Sequence, residues 1–329
     1  MSHSSTDVSI QPVPRLPFID TLRGIALIAM ASYHFTWDLE FFQYLEAGTA
    51  THGWLKIYAR GIASTFLFLV GFSLVLAHNN GIRWQSFLKR LGMVAGAAIL
   101  ISAGTYIALP DQWIFFGILH NIAVSSLIAL AFLRLPPLIT GLVAVLLLGG
   151  MIADNWVQPG ILSFSLFDSR WLAWIGFAET IPRSNDYVPL FPWFSAVLFG
   201  VAAAGFCLRH GVFTHLERLQ QKPNLLTKAG RHSLLFYLLH QPILIACVYL
   251  ASLVIPPPAP DLVSGYERDC RPSCEAQGND AGLCERFCGC TARALSGQSL
   301  LQPLYRGEIS LDGDERVNKI IQECSIQSR

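Results

Sequence analysis

This sequence is short of charge. Only 14% of its 329 residues are Asp, Glu, Lys or Arg, where a soluble domain carries roughly 25%. The charge it has balances to +1. No basic block or aromatic-plus-basic stripe offers a footprint for nucleic acid, so no such partner is expected. No Gly-rich phosphate loop is present, and no clear internal repeat of the transporter kind. The C-x2-C spacing of a zinc site is also missing, so no metal is expected. The opening residues 1–14, MSHSSTDVSIQPVP, lack the basic n-region and small-residue cleavage site of a signal peptide. They read as a disordered cytosolic lead.

What is present is apolar. Hydrophobic residues make up 53% of the chain, in long runs over residues 18–255. Crossing a bilayer takes roughly 20 mostly apolar helical residues. Seven segments qualify: 18–41, 57–77, 90–109, 113–133, 135–153, 188–208 and 233–255. The fold class is therefore all-α, a polytopic transmembrane bundle of about seven spans over 15–255, followed by a small disulfide-rich helical tail over 256–329. Arg134 and the pair Pro136-Pro137 leave only a very short turn between the fourth and fifth spans. The apolar stretch Trp171 to Phe177 is short and reads as a re-entrant piece.

Loop charges set the direction. Arg83, Lys89 and Arg90 follow the second span, and Arg209, Arg218, Lys222, Lys228 and Arg231 follow the sixth. The opposite loops carry few cations. The N-terminus is thus expected in the cytosol and the tail outside. Cysteine usage gives an independent reading. Cys207 and Cys247 fall inside spans and read as small core residues. The other six, Cys270, Cys274, Cys284, Cys288, Cys290 and Cys324, crowd the tail, as an oxidising compartment favours. The twin C-x3-C pairs place Cys270/Cys274 and Cys284/Cys288 each on one helical face. Two antiparallel helices stapled by two bridges would satisfy them, although six cysteines allow many connectivities.

Ionisable residues inside spans are costly and usually functional. The first span, FIDTLRGIALIAMASYHFTWDLEFF, holds Asp20, Arg23, His34 and Asp38. At 3.6 residues per turn all four fall within about 60° of one face, with Arg23 and His34 roughly 16 Å apart along the axis. An imidazole with a carboxylate one turn away makes a base with an orienter. A bland alternative stays open: Asp20 and Arg23 as an interface pair, and His34 as a satisfied core histidine. Further polar groups are His120 and Asn121 in the fourth span, His240 and Gln241 in the seventh, Arg60 near the outer end of the second, and Arg183 and Asp186 before the sixth. Together they suggest a polar path across the membrane. Pro242, beside His240, removes a backbone donor and loosens that helix.

The segment RLPFIDTLRGIALIAMASYHF resembles the opening of the heparan-α-glucosaminide N-acetyltransferase catalytic family, in its bacterial branch. FLFLVGFSLVLA, IFFGILHNIAVSSL, DYVPLFPWFSAVLFG and GRHSLLFYLLHQPIL resemble its later blocks. The resemblance covers roughly 15–250. An arginine followed eleven residues later by a histidine is also similar to the first span of the acyltransferase-3 family. There the histidine is catalytic and the arginine lines the donor's route, which implies those roles for His34 and Arg23. The resemblance implies acyl transfer from cytosolic acetyl-CoA to an amino or hydroxyl group of an envelope glycan, in the bacterial inner membrane with the tail periplasmic. Membrane lipid and a sugar acceptor are the implied partners. The lysosomal enzyme has more spans, and its active histidine lies in the loop after the first. His52 is the nearest loop histidine here, so both it and His34 stand as candidates.

Acyl transfer needs a base or nucleophile and donors for an oxyanion. His34 fits the first role, Asp38 orients it, and Asn121 and Gln241 are candidate donors. Arg23, Arg231 and Arg83 fit the donor's phosphates, with Asp20 beside Arg23. Two rival readings are a haem-binding electron carrier, with His34 and His120 at matched depth as axial ligands, and a transporter without chemistry.

Overall fold

The computed structural model describes residues 16–156, 160–213, 215, 218, 222–258, 261–311 and 313–328. The lead expected over 1–14 lies outside the described residues. The chain divides into two compact units, Met1–Val254 and Ile255–Arg329.

The first unit is helical. In chain order it has α1 Pro17–Phe41, α2 Gly53–His78, α3 Trp84–Ala108 and α4 Ile118–Ala129, which tightens into a 3-10 turn at Leu130–Arg134. Then come α5 Pro137–Trp156, α6 Arg170–Ala173, α7 Leu190–Arg209, α8 Leu225–Arg231 and α9 Ser233–Val254. Among the described residues there is no strand, only isolated bridges between Phe116 and Tyr187 and between Phe164 and Ala178.

All seven expected spans are helices. Five of them, α2, α3, α5, α7 and α9, are long and apolar enough to cross a membrane. The other two differ for physical reasons. α1 has 25 residues and opens with proline at its first turn, where no donor is lost, but Asp20, Arg23, Asp38 and Glu40 interrupt its apolar run. The fourth helix begins at Ile118 rather than near 113, because the Asp186 carboxylate accepts from Ile118 N–H at 3.0 Å and fixes its start there. Its other end meets Pro136-Pro137, and Ile118–Arg134 is a shorter apolar helix. The stretch Trp171 to Phe177 forms α6 and then a backbone strap: Trp174 and Ile175 carbonyls accept from Leu190 and Phe191 N–H at 2.7 and 2.9 Å.

α8 was hidden in what reads as a basic loop. Its sequence signal is a capping box: Asn224 Oδ1 accepts from Thr227 N–H at 2.8 Å, and Thr227 Oγ1 accepts from Asn224 N–H at 3.1 Å. α8 crosses the start of α1 closely. A Cβ on Gly24 would collide with the Leu226 carbonyl, and one on Gly230 with the Asp20 carbonyl. The core of the unit lies around α2 and α7, where Leu67, Val197 and Leu198 are fully buried. Here too glycines set the separation. A Cβ on Gly71 would meet the Val197 carbonyl, and one on Gly200 the Phe68 carbonyl. Small residues at a crossing let backbones approach where lipid gives no hydrophobic drive to association.

The second unit holds α10 Leu262–Glu275, α11 Ala281–Gly297, α12 Leu301–Tyr305 and α13 Glu315–Gln327. An aspartate caps each long helix: Asp261 accepts from Val263 and Ser264, Asp280 from Leu283, and Asp314 from Arg316. The core is small, built on Leu295, Leu300, Leu301, Val317 and Ile320, and three disulfides supplement it. Cys270–Cys288 and Cys274–Cys284 staple α10 to α11 as the twin spacing suggests, and Cys290–Cys324 ties α11 to α13. Cys207 and Cys247 are free thiols.

Candidate active site

The polar residues of α1 and α9 meet. The ring centroids of His34 and His240 lie 5.0 Å apart in an edge-on arrangement. One turn further along α1, fully buried Asp38 accepts a 2.6 Å hydrogen bond from Gln241 Nε2 through Oδ1. The partner of Asp38 is therefore Gln241 and not His34, which corrects the expectation that Asp38 orients that imidazole. It orients the amide next to the second histidine instead.

Tautomer follows from geometry at His240. Its Nδ1 lies 2.7 Å from the Tyr237 carbonyl oxygen. A carbonyl only accepts, so Nδ1 carries the proton and Nε2 presents a lone pair. That Nε2 has no partner, nor do Asp38 Oδ2 and Gln241 Oε1, and all three are buried. Unpartnered buried polar atoms are rare, and three in adjacent residues call for an explanation. All three are acceptors. What the cluster is missing is therefore donors, of the kind a hydroxyl or an amine supplies.

Beyond α1 the chain turns through a loop that Glu40 clamps, its carboxylate accepting from Gly48 and Ala50 N–H at 2.6 and 2.7 Å. Tyr33 donates to the Ala50 carbonyl at 3.2 Å. His52 closes this loop. It is exposed, and its Nδ1 lies 2.9 Å from the Gly48 carbonyl and 3.1 Å from Thr51 Oγ1. Its bonds hold the loop, while His34 faces His240.

At the other end of α1, Asp20 sits between two arginines. Arg23 pairs with it at 2.6 Å and Arg231 of α8 at 3.4 Å. Arg23 also donates to Ser73 of α2, and Thr21 bonds Thr227 at 2.7 Å. Arg23 thus joins α1 to α2, whereas the Arg231 side chain stays 38% exposed. Nearby in sequence to the α2–α3 turn, a cavity of about 140 Å³ is lined by His78, Arg83, Ser86, Arg90 and Ser126. Arg83 donates its backbone N–H to His78 Nδ1 at 3.2 Å.

The polar residues of α4 do other work. Asn121 is fully buried and donates to the carbonyls of Val188 and Pro189 at 3.1 and 2.8 Å, while its Oδ1 accepts from Ser125 at 2.7 Å. Its amide is spent on strapping α4 to the entry of α7, so the expectation of an oxyanion donor there is corrected. His120 Nδ1 accepts from Gly117 N–H at 3.2 Å, and Nε2 lies 3.2 Å from Ser102 Oγ. Nδ1 serves the start of α4 and Nε2 links it to α3, and the histidine that meets His34 is His240 rather than His120. Arg60 and Arg183 are exposed on their elements. Burial raises the pKa of Asp186 to about 6, against the pull of the Ile118 N–H. Sequence reasoning passed over Glu40, Ser73 and Tyr237, whose hydrogen bonds shape the site. Glu40 stood in plain view as a further charge in an apolar helix.

Among comparisons with known proteins, the model of the family described as "Heparan-alpha-glucosaminide N-acetyltransferase, catalytic" matches residues 15–242. No curated protein and no solved structure matches the chain. The matched region runs from the start of α1 past His240 and Gln241, and so contains the whole cluster. With most of its length inside that match, the chain belongs to the heparan-alpha-glucosaminide N-acetyltransferase catalytic family, a family of transmembrane acetyltransferases.

Proposed function

We propose that the chain moves an acetyl group from cytosolic acetyl-CoA to an amino or hydroxyl group of a glycan beyond the membrane, with His34 and His240 doing the proton work. The observation that carries this reading is the set of buried, unpartnered acceptors at His240 Nε2, Asp38 Oδ2 and Gln241 Oε1. A sugar hydroxyl or amine satisfies them by donating, and that same donated proton is the one acyl transfer must remove.

When bound, acetyl-CoA supplies the thioester. An imidazole of the His34–His240 pair accepts the proton of the attacking O–H or N–H as the new C–O or C–N bond forms at the acyl carbon. The C–S bond breaks, and a proton from the pair returns to the leaving sulfur. The neighbouring rings allow one to hold a proton while the other releases one. Asp38 fixes Gln241 and accepts a second hydrogen bond from the acceptor sugar. His52, on the exposed loop that Glu40 clamps, belongs to the acceptor's approach. Arg60 and Arg183 belong to it too. For the donor's phosphates, Arg83 with His78 and Arg90 at the cavity, together with Arg231 beside Asp20, supply the cations. Arg23 bonds Asp20 and Ser73 and so ties α1 to α2, while Asp20 in turn reaches Arg231 of α8.

The orientation assumed is N-terminus in the cytosol and tail outside, supported by the loop charges. His34 meets His240 rather than His120, and the two His120 nitrogens lie against Gly117 N–H and Ser102 Oγ, which speaks against a haem held between His34 and His120. The test is turnover. Purified protein in liposomes, given labelled acetyl-CoA and a panel of envelope sugars, is expected to release free CoA only when an acceptor is present and to label that sugar. Transport of unmodified sugar with no CoA release would overturn the reading.

A further inference from the structure

The tail unit has no role in the chemistry above, yet it contains the larger cavity. A cleft of about 900 Å³ opens between α10, α11, α12 and α13. That is the size of a pocket that holds a small molecule rather than a packing defect. Its walls are held by the staples already described, since Cys270 and Cys274 are part of its lining.

The chemistry of the lining is selective. Tyr266, Phe287 and Tyr305 supply aromatic surface beside the aliphatic Leu283, Leu304, Ile309, Leu311 and Ile321, and Tyr305 is 48% exposed. Gln277 and Asn279 supply amides, and Asn279 keeps its carbonyl oxygen for a ligand because its nitrogen donates to the Cys274 carbonyl at 3.0 Å. Among the described residues, Asp269 is the lone charged group of the lining and no Lys, Arg or His lines the cleft. A phosphate, sulfate or uronate would meet the Asp269 carboxylate with no cation among the described lining residues to pair it, which costs free energy. A purely apolar ligand would leave amides, hydroxyls and a carboxylate without partners. What remains is a molecule dense in hydroxyls, uncharged or carrying an amine, with flat C–H faces to lie on tyrosine.

We infer that the tail cleft is a binding site for a short neutral or amino-sugar oligosaccharide, formed by Tyr266, Asp269, Gln277, Asn279, Phe287 and Tyr305. The inference rests on the reading above only in that both treat a glycan as the partner, and it adds which end of the chain holds it. A tail that retains the acceptor raises its local concentration for a membrane-bound active site.

The test is direct binding to the full-length protein in nanodiscs, read by saturation-transfer NMR without acetyl-CoA. The probes are chitotriose, N-acetylchitotriose and maltotriose, with a sulfated disaccharide as the anionic comparison. At least one of the uncharged or amino trisaccharides is expected to bind, and the sulfated sugar to bind more weakly. Tyr305→Ala is expected to weaken binding about tenfold or more, as for loss of an aromatic anchor, with Tyr305→Phe retaining most of it. Protection of the six tail cysteines from thiol labelling reports that Tyr305→Ala is folded. Preference for the sulfated sugar, absence of binding by all three trisaccharides, or unchanged binding by a folded Tyr305→Ala protein would each overturn the inference. Binding without acetyl transfer would leave the cleft standing and remove the proposed enzyme. Transfer with no binding at the cleft would do the reverse.

Discussion

Asp20 is an aspartate with 3% of its side chain exposed and an arginine on either side. Replacing it removes the carboxylate that Arg23 and Arg231 both reach. Breaking a buried ion pair costs about 3–5 kcal/mol, and the partial exposure of both arginines puts Asp20→Ala at the low end, about 3 kcal/mol. A lowered thermal midpoint in detergent is the expected reading, and an unchanged midpoint would show the triad to be idle. The same residue-level view marks what could be read without coordinates. His34, Asp38, His240 and Gln241 each stood out as polar residues in apolar runs. Which of them meet did not, because Gln241 and Asp38 are 203 positions apart in sequence. Asn121 and His120 looked equally functional. Their partners, the carbonyls at the entry to α7, the Gly117 N–H and Ser102 of α3, could not be read from the sequence.

Helix positions were legible from apolar length, helix contacts were not. Hydropathy placed α9 over Ser233–Val254 within a residue of the expected 233–255. It overran the start of α4, because a carboxylate 68 residues away fixes that end, and it passed over α8, which is too short and too polar for a hydropathy window. Nor does composition reveal that glycine sets the α2–α7 separation. Gly71 and Gly200 face backbone carbonyls at which a Cβ would collide, whereas Gly104 on α3 has open space around it. Forcing atoms into a packed crossing costs about 1–3 kcal/mol. Gly71→Leu and Gly200→Leu are each expected to lower the unfolding midpoint in detergent and to reduce yield. Gly104→Leu is expected to stay near the parent, and equal behaviour of all three would dismiss the close approach as unimportant.

For the whole molecule, the two units give separate readouts of the same orientation. The three bridges of the tail are expected to protect six thiols in native membranes until reductant is added, while Cys207 and Cys247 remain free thiols throughout. Labelling of all eight without reductant would place the tail in a reducing compartment and reverse the chain in the membrane. Cys290→Ser, which opens the bridge spanning 34 residues, is expected to cost the tail about 2–4 kcal/mol, seen as earlier proteolysis of the C-terminal unit. A reporter active only outside the cytosol is expected to work after the C-terminus and to fail after Gly211. The central claim, however, is that the histidines of α1 and α9 carry the acyl transfer. It is tested most directly by the rate at which His34→Ala protein, in liposomes and at parental abundance, labels an acceptor sugar from acetyl-CoA. Loss of a general base lowers rate about 10²–10⁴-fold, and a fall of that size is expected for His34→Ala, with His52→Ala milder. A folded His34→Ala protein with near-parental transfer, or a larger loss at His52 than at His34, would contradict the account.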